Sequence, residues 1–237
     1  MTKLSVNLNK IATIRNARNC GVPSVTRAAV DAQNFGADGI TVHPRPDERH
    51  IKYSDVYSIK ANINVELNIE GYPSPKFLNL VDKVNPSQVT LVPDKPNVIT
   101  SNCGWQIEDN FEFLQKIITR LKEKNIRVSL FVDTNIKNIH AAKKVNADRV
   151  ELYTEYYSKH YYTNRVNAIA KYIQASKCAK KNNLGLNAGH DLNLNNLKFF
   201  KTNIIDLLEV SIGHALISDS IYFGLENTIQ MYKRQLQ

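Results

Sequence analysis

The chain has 237 residues, 43% hydrophobic and 22% charged, a globular composition and a length that suits one α/β barrel. An excess of 31 Lys+Arg over 22 Asp+Glu gives a net charge of +9, which favours anionic partners without choosing among them. No apolar run reaches the roughly 20 residues of a bilayer span, and the scattered Cys20, Cys103 and Cys178 argue against a disulfide framework or a thiolate zinc site.

In chain order, the opening MTKLSVNLNKIAT lacks the apolar core and cleavage site of a secretory signal, so a cytoplasmic location is expected. Strands are predicted at Leu4–Asn7, Gly39–His43, Val65–Glu70, Gln88–Val92, Arg127–Val132, Arg149–Tyr153, Leu184–Ala188 and Leu208–Ile212. Helical periodicity fills the intervals, as in Val25–Phe35 and Phe111–Lys124, and returns after the last strand in Ala215–Tyr222 and Leu225–Leu236. Eight strands alternating with helices give the count of a parallel (β/α)8 TIM barrel, and no linker divides residues 1–237, so a single catalytic domain is expected. The polar stretch Asn97–Asn110 reads as an insertion long enough to act as a lid, and the Tyr153, Tyr156, Tyr157, Tyr161 and Tyr162 cluster as loop and interface packing.

Barrel chemistry sits where strands end. Those ends carry Asn7 with Asn9 and Lys10, His43 with Arg45 and His50, Glu70, Asp133, Glu151, His190 with Asp191, and Gly213-His214. Four of the six histidines therefore fall on one rim. Histidine carries protons near neutrality, and a glutamate in apolar surroundings does so as well. The Gly213-His214 turn opens a short helix after the eighth strand, a phosphate-binding arrangement, and Arg18 is a candidate second phosphate ligand.

The blocks NLNKIATIRNAR, FGADGITVHPR, NIE, QVTLVPD, RVELYT, LNAGH and IGHALI, in this order, cover nearly the whole chain. On these blocks the chain resembles the pyridoxine 5'-phosphate synthase family. The resemblance implies condensation of 3-amino-2-oxopropyl phosphate with 1-deoxy-D-xylulose 5-phosphate, releasing inorganic phosphate and water. It implies no metal or organic cofactor and a homo-octamer. Carried over by motif, His43 and Glu70 become proton acceptors, His190 a proton donor and Glu151 a transition-state stabiliser. Arg45, His50 and Thr100, with Asn9 and Lys10, fall on the deoxyxylulose phosphate. Asn7, Arg18, Asp191, Gly213 and His214 fall on the aminoketone phosphate. Two departures stand out. Asn9-Lys10 replaces the family's usual Asp-His pair, and Asp191 stands where a glycine is common.

Three other classes compete. A metal-dependent barrel hydrolase could use the same histidines, although the first strand edge reads Asn7-Leu8-Asn9 rather than His-x-His. A Schiff-base aldolase needs a lysine at a strand end, where only Lys10 stands. A nucleic-acid binder would suit the net charge, but no recognition motif or basic–aromatic stripe is present, so neither nucleic acid nor membrane is expected as a partner.

Overall fold

The computed structural model describes residues 1–18, 20–94 and 103–237. Eight parallel strands close into a barrel in sequential order. They are β1 (Lys3–Asn7), β2 (Gly39–Val42), β3 (Glu66–Gly71), β4 (Gln88–Leu91), β5 (Arg127–Val132), β6 (Arg149–Tyr153), β7 (Gly185–Gly189) and β8 (Leu207–Ile212). Closure comes from β8 against β1, with Lys3 beside Glu209 and Ser5 beside Ser211. The expected strands are all present, with no end displaced by more than one residue.

Helices α1 (Asn9–Arg18) and α2 (Val25–Asn34) both follow β1. Helices α3 (Tyr53–Asn62), α4 (Pro75–Val84), α5 (Phe111–Lys122) and α6 (Ile136–Lys144) then alternate with the strands. They are followed by α7 (Glu155–Lys181), α8 (Leu197–Asn203), α9 (His214–Phe223) and α10 (Leu225–Gln235). Their starts are chemically marked. Ser24 and Ser74 accept from the backbone N–H of Arg27 and Phe77, and Pro75 fills the first turn of α4, where its missing N–H costs nothing. Four helices hand over to the next strand through an asparagine in the left-handed region, Asn85, Asn125, Asn146 and Asn183, with φ of 46°, 59°, 65° and 52°. Among the described residues no helix is long and apolar enough to cross a membrane.

Strand alternation explains the layering. Val6, Ile40, Ile69, Leu130, Val150 and Ile212 are fully buried in the main hydrophobic cluster, and period two points them out of the barrel toward the helices. The intervening residues face the barrel axis and are mostly polar, unlike the branched aliphatics that usually fill such barrels. Ser5 bonds Thr41 at 2.7 Å, and Thr90 Oγ1, which donates to Asn68 at 3.1 Å, also bonds Glu151 at 3.3 Å. The last bond joins β4 to β6, two strands that are not neighbours, so these side chains meet inside.

At the opposite end from the strand termini, Glu66 accepts from Lys3 at 3.0 Å and from Arg127 at 2.6 Å. Burial pushes its carboxyl up, but the two cations outweigh it and hold the pKa at about 2. That lies below the unfolded value of about 4.3, so the pairing stabilises fully above that value and is lost as pH falls through the folded one. Glu66→Gln should therefore melt below the parent at neutral pH, with the gap closing from about pH 4 downward. A gap independent of pH would contradict this.

The expected lid is only partly in view, since residues 97–102 lie outside the described residues, as does Thr100. The following segment is clamped to the barrel. Trp105 is 3% exposed, donates from Nε1 to the Leu91 carbonyl at 2.9 Å and from its backbone N–H to the Phe131 carbonyl at 2.9 Å. A Cβ on Gly104 would stand 2.3 Å from the Asp133 nitrogen and 2.5 Å from Val132 Cα. Gly104→Ala should thus cost about 1–3 kcal/mol, visible as a melting temperature several degrees lower. An unchanged melt would mean that this contact is loose.

The tyrosine cluster corrects another expectation. Tyr156 to Tyr162 belong to helix α7, whose 27 residues run through a non-helical Asn164 (φ −158°). Tyr157 is fully buried, donates to the Asn196 carbonyl at 2.7 Å and packs on Phe200, whereas Tyr156 and Tyr162 are exposed.

Candidate active site

The C-terminal strand ends enclose a cavity of about 330 Å³. It is lined by Asn7, Asn9, Lys10, His43, Arg45, His50, Glu70, Glu151, His190, Asp191, Gly213 and His214, with Val92, Phe131 and Ser211 completing the wall. Residues from all eight strands or the loops beyond them thus converge on one space. Of the expected site residues, Arg18 does not line it. Helix α1 starts at the mouth and runs outward, leaving Arg18 exposed at its far end.

β1 and β2 place the first group. Asn7 Oδ1 accepts from the Asn9 backbone N–H at 3.0 Å, and Asn9 Oδ1 accepts from the His43 backbone N–H at 2.9 Å. Asn9 therefore ties the first strand end to the second and fixes where His43 emerges. His43 lies one residue past β2, still on the inward alternation, with Nδ1 3.7 Å from Glu70 Oε2. Burial, then the positive charge of Arg45, holds the His43 pKa well below its usual 6.5, so the ring stays neutral.

Glu70, at the inward end of β3, also faces Asn7 Nδ2 at 3.4 Å. Burial raises its carboxyl to about 7, helped by the nearby Asp94 charge and opposed by Arg45. Glu151 on β6 is pushed well up as well, first by burial and then by Glu70, which favours the protonated form that can donate a hydrogen bond. Three buried groups of different proton affinity thus share one chamber, which equips it for successive proton transfers.

His50 comes from the loop after β2. Arg15 Nη2 and Asn16 Nδ2 donate to its carbonyl at 3.0 and 2.9 Å, and Arg15 also pairs with Asp55. The Ile51 backbone N–H donates to His50 Nδ1 at 2.9 Å, which leaves Nε2 to carry the ring proton. Burial followed by the charge of Arg45 lowers its pKa to about 4, so His50 is a neutral N–H donor rather than a cation. Arg45 is fixed by an ion pair with Asp94 at 2.9 Å. Asp94 was absent from the expected set, although Val92-Pro93-Asp94 puts an acid just past a strand end, the position that singled out the others.

Beyond β7 the backbone at His190 takes φ 94°, and the ring lies edge-on to Tyr153 with centroids 5.6 Å apart. Gly213 precedes α9 and packs on Asn7, where a Cβ would find atoms at 3.1–3.2 Å. The first amides of α9, together with Arg45, Lys10 and His50, give the mouth the donors and positive charge that phosphate groups require. Asp133 serves structure instead, accepting from the Asn135 N–H and from Asn138 Nδ2 at the turn into α6. Lys10 is exposed in the first turn of α1, whereas a Schiff-base lysine is activated by desolvation. Among the described residues no group of three or more His, Cys, Asp or Glu side chains is arranged to hold a metal ion.

A family model described as "Pyridoxal phosphate biosynthesis protein PdxJ" matches residues 4–237. The chain belongs to the PdxJ family. Curated relatives of the family include proteins named "Pyridoxine 5'-phosphate synthase" from Parabacteroides distasonis, 58% identical with 98% of each chain covered, and from Bacteroides fragilis, 56% identical over the full length of both. Among solved structures, phosphoribosyl anthranilate isomerase from Thermotoga maritima has a TM-score of 0.60 at 16% identity, covering 100% of this chain and 98% of that one. Tryptophan synthase from M. tuberculosis reaches 0.66 at 11% identity, covering 100% and 94%. At such identities these two establish the barrel and nothing of its chemistry.

Proposed function

We propose that the chain is a pyridoxine 5'-phosphate synthase, condensing 3-amino-2-oxopropyl phosphate with 1-deoxy-D-xylulose 5-phosphate to give pyridoxine 5'-phosphate, inorganic phosphate and water. The observation that carries the reading is the meeting of buried His43 and Glu151 with the largely buried Glu70 in one cavity whose mouth is rich in phosphate-binding donors, in a chain 56% identical over its full length to a protein of that name.

The chemistry follows from the proton affinities. The amine of the aminoketone attacks the ketone of the phosphosugar and loses water to give an imine. A neutral His43, or Glu70 in its ionised form, removes a proton beside the imine to form the enamine. His190 gives a proton to the departing phosphate and to the final water, while Glu151 supplies a hydrogen bond to oxygen as charge builds on it. Ring closure follows, and aromatisation supplies the driving force. Each positioned acid or base contributes about 10²–10⁴-fold, and holding both phosphates in one chamber makes the bond-forming steps effectively unimolecular. Arg45, His50, Lys10 and Thr100 are assigned to the phosphosugar, with Asn9 supporting them by fixing the β1 and β2 ends. Asn7, the Asp191 backbone, Gly213 and His214 are assigned to the aminoketone phosphate.

The test is direct. Chelator-treated protein mixed with the two phosphorylated substrates should yield the fluorescent pyridine product together with inorganic phosphate. Consumption of either substrate without the pyridine would reject the reading. A cytoplasmic homo-octamer belongs to the same proposal, and light scattering of the purified chain tests its assembly.

A further inference from the structure

We propose that the Asp191 side chain is a positioning residue for His190, its carboxylate holding the imidazole in the Nδ1–H tautomer so that Nε2 is the nitrogen offered to substrate. The proposal deepens the functional reading above and relies on it only for what Nε2 then does.

Residue 190 occupies a backbone region that costs a non-glycine residue about 1–3 kcal/mol unless its surroundings enforce it. Here they do. The His190 N–H donates to the Ser211 carbonyl at 3.3 Å, and Thr154 Oγ1 donates to the Gly189 carbonyl at 2.7 Å. The same hydroxyl accepts from the Asp191 N–H at 3.2 Å, while Asn196 Nδ2 donates to the Asp191 carbonyl at 3.3 Å. The two residues are thus held from both sides, and the enforced turn sets the ring against Phe131 and Tyr153 at the cavity wall.

In that pose Asp191 Oδ2 lies 3.4 Å from His190 Nδ1. The oxygen is shut off from solvent and makes no hydrogen bond within the protein. The carboxylate, with a third of its side chain exposed, therefore has one oxygen without a donor, and the ring beside it meets that oxygen most favourably with its proton on Nδ1.

The tautomer matters for a proton donor. When the imidazolium gives its Nε2 proton to a departing oxygen, the Nε2–H bond breaks and its electron pair stays on nitrogen. The proton left on Nδ1 is the one already facing Asp191, so the neutral ring forms without rearrangement. A free neutral imidazole side chain prefers to keep its proton on Nε2, which would leave the ring holding the proton it has to give. A carboxylate beside Nδ1 reverses that preference, as in other catalytic histidines oriented by an acid.

Nitrogen NMR of the full-length protein labelled with ¹⁵N-histidine, above the pH at which the ring is neutral, tests the proposal in the parent, Asp191→Ala and Asp191→Asn. The His190 signals should report Nδ1–H in the parent, Nε2–H in Asp191→Ala, and Nδ1–H again in Asp191→Asn, whose Oδ1 still accepts. Turnover should follow the tautomer, with kcat about 10-fold lower in Asp191→Ala, largely restored in Asp191→Asn, and little change in KM for either phosphate. An Nε2–H ring in the parent, or a tautomer unmoved by Asp191→Ala, overturns the proposal whatever the rates do. The expected tautomer change in a protein that makes no pyridine would uphold the positioning role and reject the functional reading instead.

Discussion

Glu70→Gln should slow turnover by about 10²- to 10⁴-fold while raising the melting temperature at pH 8. Both effects have one origin. Burial holds the Glu70 carboxyl near 7, against an ordinary value of about 4.5, so the folded protein keeps a proton that the unfolded chain has released. In the window from about 4.3 to about 7 the native state binds more protons than the unfolded state, and stability therefore falls as pH rises. Above that window the protein carries the full cost of a desolvated carboxylate. The amide is nearly isosteric and has no such cost, so the variant should melt higher at pH 8 and match the parent near pH 4. Parent activity, for its part, should rise with pH through about 7 as the base ionises, and the residual activity of the variant should lose that limb. A Glu70→Gln protein that is fully active, or less stable than the parent at pH 8, would remove Glu70 from the role of buried base.

His190→Asn is the second large effect. Asparagine tolerates positive φ better than most residues, so the turn at φ 94° should survive the change. What disappears is the titratable ring. We expect kcat to fall by about 10²–10⁴-fold with KM for both phosphorylated substrates changed by no more than about threefold, because most of the phosphate-binding groups belong to other loops. Steady-state kinetics with each substrate varied in turn separates the two constants. Turnover near that of the parent would reject the proton-donor role, and a change confined to KM would recast His190 as a binding residue.

The strands were legible because each alternates, as in Leu67-Asn68-Ile69-Glu70 or Val150-Glu151-Leu152, and the apolar half of each pattern covers the barrel wall. The same alternation does not say where the polar half points. In an isolated strand Asn68 or Glu151 reads as facing water, and only closure of all eight strands turns it inward. The site residues were legible through position, since the residue next to a strand end must face the mouth. Arg18 shows the limit of that rule. It is near Asn9 in sequence, but at 1.5 Å per residue a helix carries it roughly 13 Å away, and Arg15 is the arginine of α1 that reaches the His50 loop. The long α7 hid for a related reason. Its kink at Asn164 has neither glycine nor proline to mark it, so the tyrosines before it resembled loop residues.

The asparagines that end four helices lie on the floor of the barrel, facing away from the mouth. At each, glycine would remove the left-handed penalty and add freedom to the unfolded chain, two effects of similar size and opposite sign. Those corners should therefore accept exchange at little net expense, and catalysis, a full strand length above them, should not register it. An engineer seeking a hardier catalyst has that underside to redesign before approaching the residues that handle protons.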